Sequence, residues 1–328
     1  MHGFIFVWYT FSVYVSAIRL VQAQQSCNDA CVLPACRCFS DRSIPGYLSP
    51  FLTPQTVLLT FVGGLNSSLE PLYDVLLNFQ NPNNCPIRTT FFIDDTETDY
   101  SIVASYANRG HEIGVQSLNG TSPTSANGWT DMIRDMDRRL DAIGLPPGSI
   151  KGVRAPQLSF GGTDELTGME TNGMLYDSSC LTSTLVTPGT LKWPFTYDHE
   201  YGMFKCDNGQ AVERAFPGRW QFMLASYNFE GSRCAIPDAC GNVKTGRQAF
   251  DILHEAFLDH YLGDRAPYTI VISPAWIKTD YKRDGLIDFL TYITNYKDVW
   301  VVTQTQALQW VQHPTSIQNI TQFEPWKC

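Results

Sequence analysis

Acidic side chains that could act as a general base or bind a cation cluster just after one predicted strand. Asp94 and Asp95 directly follow the apolar run 89–93, and Glu97 and Asp99 come next in the chain. Carboxylates in such a position can abstract a proton or hold a hard cation. The alternative, a solvated acidic strand end, is favoured because no histidine lies within reach in the sequence.

The histidines do not form a catalytic or metal-binding pattern. His254 and His260 lie on a predicted helix, but His254-Glu255 lacks the second histidine that a zinc-binding His-Glu-x-x-His helix needs. His199 and His313 lie in predicted loops. We therefore expect these four residues to be non-catalytic.

Ten cysteines follow residue 23, and an even number in an exported chain indicates disulfides. Four of them form a cluster that could in isolation bind zinc, but it contains no histidine, so disulfides are favoured. We expect Cys328 to tie the C-terminus to the body of the protein, although the spacing leaves every pairing open. The ten are Cys27, Cys31, Cys36, Cys38, Cys85, Cys180, Cys206, Cys234, Cys240 and Cys328.

Residues 1–23 are typical of a secretory signal peptide, because the apolar run 4–18 precedes Arg19 and the small residue Ala23. A membrane anchor is the alternative, but this run is short for a membrane span. No second long apolar run follows, so we expect a secreted, soluble protein. The formal net charge of -9 and pI of about 5.1 argue against nucleic acids and anionic membranes as partners.

Strands and helices alternate from residue 55 onward, which predicts a parallel, barrel-like α/β fold in one domain, 24–328. Residues 24–50 form a cysteine-rich segment, and 178–245 form a long irregular region. The predicted strands are 57–61, 89–93, 112–115, 150–154, 173–176, 220–224, 268–273 and 299–303. The predicted helices are 67–79, 98–108, 128–143, 163–171, 246–261, 284–295 and 305–312.

The first predicted strand, 57–61, ends without a reactive side chain. Its apolar residues suit a strand that is buried on both faces, and Gly63 and Gly64 let the backbone turn where a side chain would crowd it. In barrels of parallel strands and helices, the loops after the strands carry the chemistry. Val62, Gly63 and Gly64 nevertheless offer no acid, base, nucleophile or metal ligand.

Several ordered motifs agree with one known family. They are Thr60-Phe61, Gly110-His111-Glu112-Ile113-Gly114, Gly152-Val153-Arg154-Ala155-Pro156, Asp177-Ser178-Ser179 and Ala275-Trp276. With the cysteine cluster and the C-terminal tail, they resemble the NodB-like polysaccharide deacetylases of carbohydrate esterase family four. The similarity is greatest to secreted arthropod chitin deacetylases that lack a separate chitin-binding module. The resemblance implies a distorted (β/α) barrel with long disulfide-stapled loops.

The resemblance also implies a lost active site. The family removes an N-acetyl group with one divalent metal, usually zinc, which an Asp and two His hold and which activates a water. The family's base falls on Val62 and its metal-binding Asp on Gly63, while the two His positions are Gln116 and Gly120. The general-acid His falls on Ser273. These residue types cannot perform the family reaction or hold zinc, so a pseudoenzyme without a metal or other cofactor is expected.

Three family positions are retained, namely Arg154, Asp177 and Trp276. In the family the arginine orients the base carboxylate, whose position is Val62 here. We therefore expect an Arg154–Asp177 contact. The alternative is that Arg154 binds a sugar or an acidic ligand. His111 matches a structural strand position of the family.

The resemblance favours chitin, a related N-acetylglucosamine polymer or chitin-associated matrix proteins as partners. Trp220, Tyr227 and Trp276 are candidates to stack on sugar rings, and core packing is the alternative for each. Two other functions stay open. One is an active deacetylase or hydrolase that uses Asp94 or Asp95, and the other is a scaffold for protein partners.

Three Asn-x-Ser/Thr sequons predict N-glycosylation, at Asn66, Asn119 and Asn319. Asn66 and Asn119 lie inside the substituted motifs, after the first and third predicted strands. A glycan on Asn119 would lie at the mouth of the former active site. Chance occurrence is the alternative, since such short sequences are common.

Overall fold

The computed structural model describes residues 26–182, 191–203 and 206–328. The predicted signal peptide, 1–23, lies outside the described residues. Within the described ranges, no helix combines the length and apolarity that a membrane crossing requires.

A curled, mostly parallel sheet forms the centre of the protein, and nine strands build it. The strands of the described residues are β1 (Gln55–Gly63), β2 (Thr90–Asp94), β3 (Glu112–Ser117), β4 (Gly152–Val153), β5 (Tyr176–Asp177), β6 (Leu181–Thr182), β7 (Phe195–Tyr197), β8 (Phe216–Gln221), β9 (Leu224–Ala225), β10 (Tyr227–Phe229), β11 (Ser232–Cys234), β12 (Tyr268–Ile272) and β13 (Val299–Val301). In the sheet, the order is β12-β1-β2-β3-β4-β5-β8-β7, and β13 also pairs with β1. Only the β7–β8 pair is antiparallel in this sheet.

The central strand β1 is buried, which explains its apolar sequence. Val57, Leu59 and Phe61 are at most 1% exposed. The parallel register places Phe61 opposite Ile272 of β12 and Phe91 of β2. Because the carboxyl ends of parallel strands share one edge of a sheet, the loops after β1, β2, β3 and β12 converge.

Helices pack around this sheet and follow the predicted alternation. They are α1 (Glu70–Leu77), α2 (Tyr100–Asn108), α3 (Ala126–Asp141), α4 (Gly162–Thr171), α5 (Gly246–Tyr261), α6 (Pro274–Lys278), α7 (Asp280–Ile293) and α8 (Gln304–Gln312). In α3, Met132, Met136 and Leu140 recur at helical spacing and are buried, while the Ser125 side chain accepts a hydrogen bond from Gly128 N. The predicted barrel-like α/β fold is confirmed.

Several local features differ from the sequence prediction, and two of them lie close to the site. The predicted strand 268–273 ends at Ile272, because Ser273 caps the unpredicted helix α6. The predicted strands 150–154 and 173–176 shrink to β4 and β5, which pack closely: a Cβ at Gly152 would lie 2.1 Å from Cζ of Tyr176. A glycine is needed at this close approach.

All ten cysteines form disulfides, as predicted. Two bridges close the N-terminal cluster, one ties the C-terminus to the loop before β2, and two staple the region after β5. The pairs are Cys27–Cys38, Cys31–Cys36, Cys85–Cys328, Cys180–Cys206 and Cys234–Cys240. The cluster therefore has no free thiolate for zinc, and Cys328 ties the C-terminus to the body as expected.

Candidate functional site

The five positions that the family resemblance assigns to catalysis meet at the edge of the sheet where β1, β3 and β12 end. Val62 and Gly63 close β1, Gln116 lies in β3 with Gly120 just after it, and Ser273 follows β12. The parallel pairing of β2 with both β1 and β3 brings these ends side by side. We call this region the former catalytic edge.

The Gln116 side chain links β3 to the end of β1 within the former catalytic edge. Its Oε1 accepts a hydrogen bond from Gly63 N at 2.8 Å. Gly63 has a φ of +102°, in the region that favours glycine, and a Cβ there would lie 3.2 Å from Cγ of Pro274. A side chain at position 63 would therefore meet both backbone strain and the Pro274 ring.

One carboxylate still lies beside the former ligand position Gly120. Asp94 Oδ2 lies 3.7 Å from the point where a Cβ at Gly120 would be. Asp94 is 8% exposed, and its Oδ1 accepts a hydrogen bond from Thr96 N at 2.8 Å. Asp94 is thus the one member of the predicted acidic cluster that these contacts place at the former catalytic edge.

Two of the other three acids of the predicted cluster, Asp95 and Asp99, are hydrogen-bonded to structural partners. Asp95 accepts from the Tyr100 hydroxyl at 2.5 Å and lies 3.3 Å from Arg139 NH1. Asp99 caps α2 by accepting from Ser101 Oγ and Ser101 N, and these two hydrogen bonds lower the pKa of Asp99. Glu97 is exposed on a turn with a φ of 60°.

Potential metal ligands do not gather at the former catalytic edge. In the described ranges, groups of three or more potential ligands occur only among Cys27, Cys31, Cys36, Cys38 and His199, and these cysteines are disulfide-bonded. The former ligand positions contribute one side-chain oxygen, that of Gln116, which is bonded to Gly63 N.

Ser273 has a partner that the sequence did not indicate. Its Oγ donates to Asp238 Oδ1 at 2.5 Å and accepts from Ala275 N and Trp276 N at 3.2 and 3.4 Å. Asp238 lies in the loop that the Cys234–Cys240 disulfide closes. The only sequence signal for this placement was that cysteine spacing, and it did not reveal the pairing. The Ser273 hydroxyl therefore serves as a helix cap.

Arg154 lies beneath the former catalytic edge and is fully buried. Its guanidinium donates to Ser178 O at 2.8 Å, to Ser178 Oγ at 2.7 Å and to Thr60 Oγ1 at 2.6 Å, and it lies 4.1 Å from the centre of the Phe92 ring. Burial lowers the pKa of Arg154 to about 9, so the side chain stays charged at neutral pH.

These contacts correct both expectations for Arg154. Its hydrogen bonds go to Ser178 and Thr60 rather than to Asp177, although the charge of Asp177 acts on it. Because Arg154 is 0% exposed, it is also not available to a sugar or an acidic ligand.

Asp177 forms a buried acid pair with Glu165, a residue that the sequence reading overlooked. Asp177 accepts from Ser179 N, Ser179 Oγ and Gln221 Nε2 at 2.5 to 2.8 Å. Burial and the neighbouring Asp177 raise the pKa of Glu165 well above its usual value. Glu165 Oε2 accepts from Gly161 N, while its buried Oε1 receives no donor among the described residues. This arrangement fits a protonated Glu165 that donates to Asp177.

The three aromatic residues proposed to stack on sugar are core residues. Trp220, Tyr227 and Trp276 are 1%, 3% and 0% exposed. No ring face remains for a ligand, so the prediction of sugar stacking is wrong for these three and core packing is correct. Among the described residues, the exposed aromatic side chains are Tyr47, Phe51 and Tyr281.

The three sequons are accessible to different degrees. Asn119 and Asn319 are exposed, and Asn66 is partly exposed. Asn119 Oδ1 accepts from Thr121 N and Thr121 Oγ1, which holds the side chain in a turn just beyond β3. A glycan on Asn119 would thus lie next to Gly120, although glycosylation itself stays a prediction.

A groove of about 650 Å³ lies next to the former catalytic edge. The loops after β3 and β4 form it together with the segment 208–213. Its lining includes Ser122, Asp164, Asn208 and Glu213. The volume lies in the usual range for ligand sites, but the lining is more polar than that of a typical small-molecule pocket.

Two curated proteins and one solved structure place the chain among known proteins. It is 31% identical to chitin deacetylase 1 of Bombyx mori, over 92% of this chain and 59% of that protein. It is 32% identical to chitin deacetylase 8 of Bombyx mori, over 90% of this chain and 80% of that protein. The solved structure of a polysaccharide deacetylase-type protein from Mycobacterium smegmatis superposes with a TM-score of 0.54. The match covers 86% of this chain and 94% of that protein at 17% identity, so it shows the fold alone. No family model matched the chain.

Proposed function

Because this chain belongs to the chitin deacetylase family, we propose that it is an extracellular member that no longer catalyses deacetylation. Its role is to bind chitin, a related N-acetylglucosamine polymer or the matrix proteins associated with them. The chain spans 59% and 80% of the two Bombyx mori relatives, so the functions of those whole proteins are not transferred to it directly.

The observation that carries this proposal is the contact between two former metal positions. Gln116 Oε1 accepts from Gly63 N at 2.8 Å, so the only side-chain oxygen at the three ligand positions is already used. Glycine at 63 and 120 supplies no ligand, and an amide oxygen is a weak ligand for zinc compared with imidazole or carboxylate. These residues do not fit the zinc site of the family.

The proton-transfer groups of the reaction are also missing. Val62 at the base position cannot accept a proton, and Ser273 at the acid position is bonded to Asp238 at 2.5 Å. Loss of single members from a cooperative catalytic set costs roughly 10³ to 10⁶ in rate. The combined substitutions therefore support a protein without the family reaction.

Two observations agree with an extracellular protein. The described residues contain five disulfides, which persist in oxidising compartments. Residues 1–23 have the composition of a secretory signal.

The polar groove beside the former catalytic edge offers one surface on which a saccharide can lie.

The first experiment measures acetate release from chito-oligosaccharides by the secreted protein, with and without added zinc. We expect no release above background, whereas an active chitin deacetylase in parallel responds to zinc. Calorimetric titration with zinc should show no site of micromolar affinity. Zinc-dependent acetate release would overturn the proposed inactivity.

The competing hypothesis is a deacetylase that uses an unusual acid, and the position of Asp94 is the observation in its favour. Asp94 Oδ2 faces Gly120 at the former catalytic edge. Acetate release that is lost in Asp94→Asn and kept in Asp95→Asn would establish that function. Equal background release from all three proteins would exclude it.

Binding is tested by retention on colloidal chitin with soluble chito-oligosaccharide as competitor. Competable retention is expected. If the protein is not retained, chitin binding is wrong and the scaffold for protein partners becomes the leading function.

A further inference from the structure

Two exposed aromatic side chains lie at the opposite end of the central strand from the former catalytic edge. Tyr47 is 89% exposed and Phe51 is 84% exposed. Both precede β1, so they lie at its amino end, whereas Gly63 closes its carboxyl end. We call Tyr47 and Phe51 the aromatic platform. Aromatic side chains normally bury most of their surface, so this exposure calls for an explanation.

The backbone turn that carries Tyr47 is held in a strained conformation. Tyr47 has a φ of 54°, which is unusual for a residue with a side chain. Tyr47 N donates to Ile44 O at 2.9 Å, and a Cβ at Gly46 would lie 2.9 Å from Cβ of Pro314. The segment of the same chain that contains Pro314 thus imposes this turn. Imposed strain of this kind is concentrated at functional sites.

The turn that carries Phe51 is held in a similar way. Leu52 N and Thr53 Oγ1 both donate to Ser49 O at 2.9 Å. Ile317 N donates to Leu52 O at 2.9 Å, which joins this turn to the chain beyond α8. Both aromatic rings are therefore presented by ordered backbone, which lowers the entropy lost when a ligand binds.

The chain segments that form the aromatic platform contain no charged residue. No charged residue occurs between Arg42 and Glu70, and none occurs in the segment 299–323 apart from a titratable histidine. Tyr47 also lines a groove of about 840 Å³ together with the cysteine cluster. In this groove Arg37 pairs with Asp41 at 3.5 Å, which leaves Asp29 as the remaining acid.

This charge pattern matches a neutral, hydrogen-bonding polymer. Nucleic acids and anionic membranes need basic surfaces, and charged peptides need compensating charges. A sugar polymer instead needs exposed ring faces for stacking and polar groups for hydrogen bonds. The Cα atoms of Tyr47 and Phe51 lie at most about 14 Å apart along the chain, so one extended polymer is long enough to span the two positions.

We propose that the aromatic platform binds N-acetylglucosamine units of chitin. This inference rests on the proposed function, and it locates the binding surface away from the former catalytic edge. The aromatic residues that the sequence suggested for stacking are buried, whereas Tyr47 and Phe51 are exposed. The polymer is then held at one end of the sheet without entering the site where relatives act.

The test compares retention of full-length secreted variants on colloidal chitin. Tyr47→Ala/Phe51→Ala should raise the apparent Kd at least about tenfold, because two ring contacts are lost. Tyr47→Phe keeps the ring and should stay within about twofold of the wild type. Val75→Ala/Leu262→Ala removes two other exposed apolar side chains, which are 52% and 75% exposed, and is the matched control.

The outcomes separate this inference from the proposed function. Circular dichroism and thermal unfolding establish that each variant is folded, as expected for exposed residues. If the wild type and the Tyr47→Ala/Phe51→Ala variant are retained equally, the inference is wrong while chitin binding stands. Equal retention would also point to another occupant of the platform, such as a glycan on nearby Asn319. If the wild type is not retained, the proposed function fails and the inference fails with it.

Discussion

The former catalytic edge and the polar layer buried beneath it differ in how much of the family pattern they keep. At the edge, the five positions that the resemblance assigns to catalysis carry Val, Gly, Gln, Gly and Ser. Beneath it, Arg154 and Asp177 match the family residue according to the same resemblance, and both are fully buried. Each of them has at least three hydrogen bonds at 2.5 to 2.8 Å.

The difference shows which part of the site is also part of the fold. Removing an exposed catalytic side chain leaves no buried group without a partner, so stability hardly depends on it. Removing a buried charge or acceptor leaves its partners unsatisfied in a medium of low dielectric constant. Substitution of residues at the edge can therefore spare the layer below, and the predictions that follow test this division.

The largest effect is expected for Arg154→Met, which removes the buried cation. The acid pair keeps its charge while Ser178 and Thr60 lose their donor, so the free energy of unfolding should fall by about 3–5 kcal/mol. Urea unfolding of the secreted protein measures this change. Arg138→Met is the control, because Arg138 is 69% exposed and should cost less than about 0.5 kcal/mol. Equal effects of the two substitutions would contradict the comparison.

The acid pair should respond unequally to two isosteric amides. Asp177→Asn places an NH₂ group among the donors Ser179 and Gln221, and we expect a loss of about 2–3 kcal/mol in the free energy of unfolding. Glu165→Gln should be nearly neutral at pH 7, because its amide can donate to Asp177 as the protonated acid does. A larger loss from Glu165→Gln than from Asp177→Asn would show that the proton resides on Asp177.

The raised pKa of Glu165 also predicts a pH dependence. The bound proton of a carboxyl stabilises the folded protein when the pKa is higher in the folded state than its unfolded value of about 4.3. This stabilisation is fully present when the pH is below the unfolded value. This contribution is lost as the pH rises through the folded-state pKa. The stability of Glu165→Gln relative to the wild type should therefore increase from pH 4.5 to pH 8. A constant difference across this range would contradict the assignment.

A smaller effect is expected for Gly63→Asp, which introduces the acid that the resemblance assigns to this position. The φ of +102° and the contact with Pro274 should cost about 1–3 kcal/mol of stability. Val62→Asp is the matched variant, since Val62 is half-buried and has no positive φ, and it should cost less. Thermal unfolding ranks the two, and the reverse order would show that the edge has adapted less to its glycine than the geometry indicates.

The smallest effect is expected for Gln116→Ala at the edge itself. It removes the hydrogen bond to Gly63 N, so we expect a loss of about 1 kcal/mol in unfolding free energy. Gln116→Glu is the companion variant, because it keeps an acceptor for Gly63 N. If Gln116→Ala cost as much as Arg154→Met, the division between the edge and the buried layer would not hold.

The main strands could be predicted because continuous apolar runs are typical of strands that are buried on both faces of a parallel sheet. Helix α6 escaped prediction because five residues give no periodic signal, and Pro274-Ala275-Trp276 reads equally well as a strand end. Asp238 lies 35 residues from Ser273 in the sequence, in a loop closed by the Cys234–Cys240 disulfide, and the cysteine spacing left that pairing open.

The burial of individual aromatic residues could not be predicted from the sequence either. Trp220 and Tyr227 have the residue types of a sugar platform, but residue type does not say which ring faces the core. Tyr47 and Phe51 give no sequence signal of a binding surface, because they lie in a Pro/Gly-rich segment without periodicity. Their exposure follows from contacts with residues more than 250 positions away, such as Pro314 and Ile317.

The Cys85–Cys328 disulfide affects how the protein can be cleaved into separate fragments. It closes a ring across 243 positions of sequence, which includes every sheet strand except β1. The chain-entropy model assigns such a ring roughly 5 kcal/mol of destabilisation of the unfolded state. A single proteolytic cut inside the ring opens it but releases no fragment. Breakdown into separate pieces thus needs a second cut or a reductant.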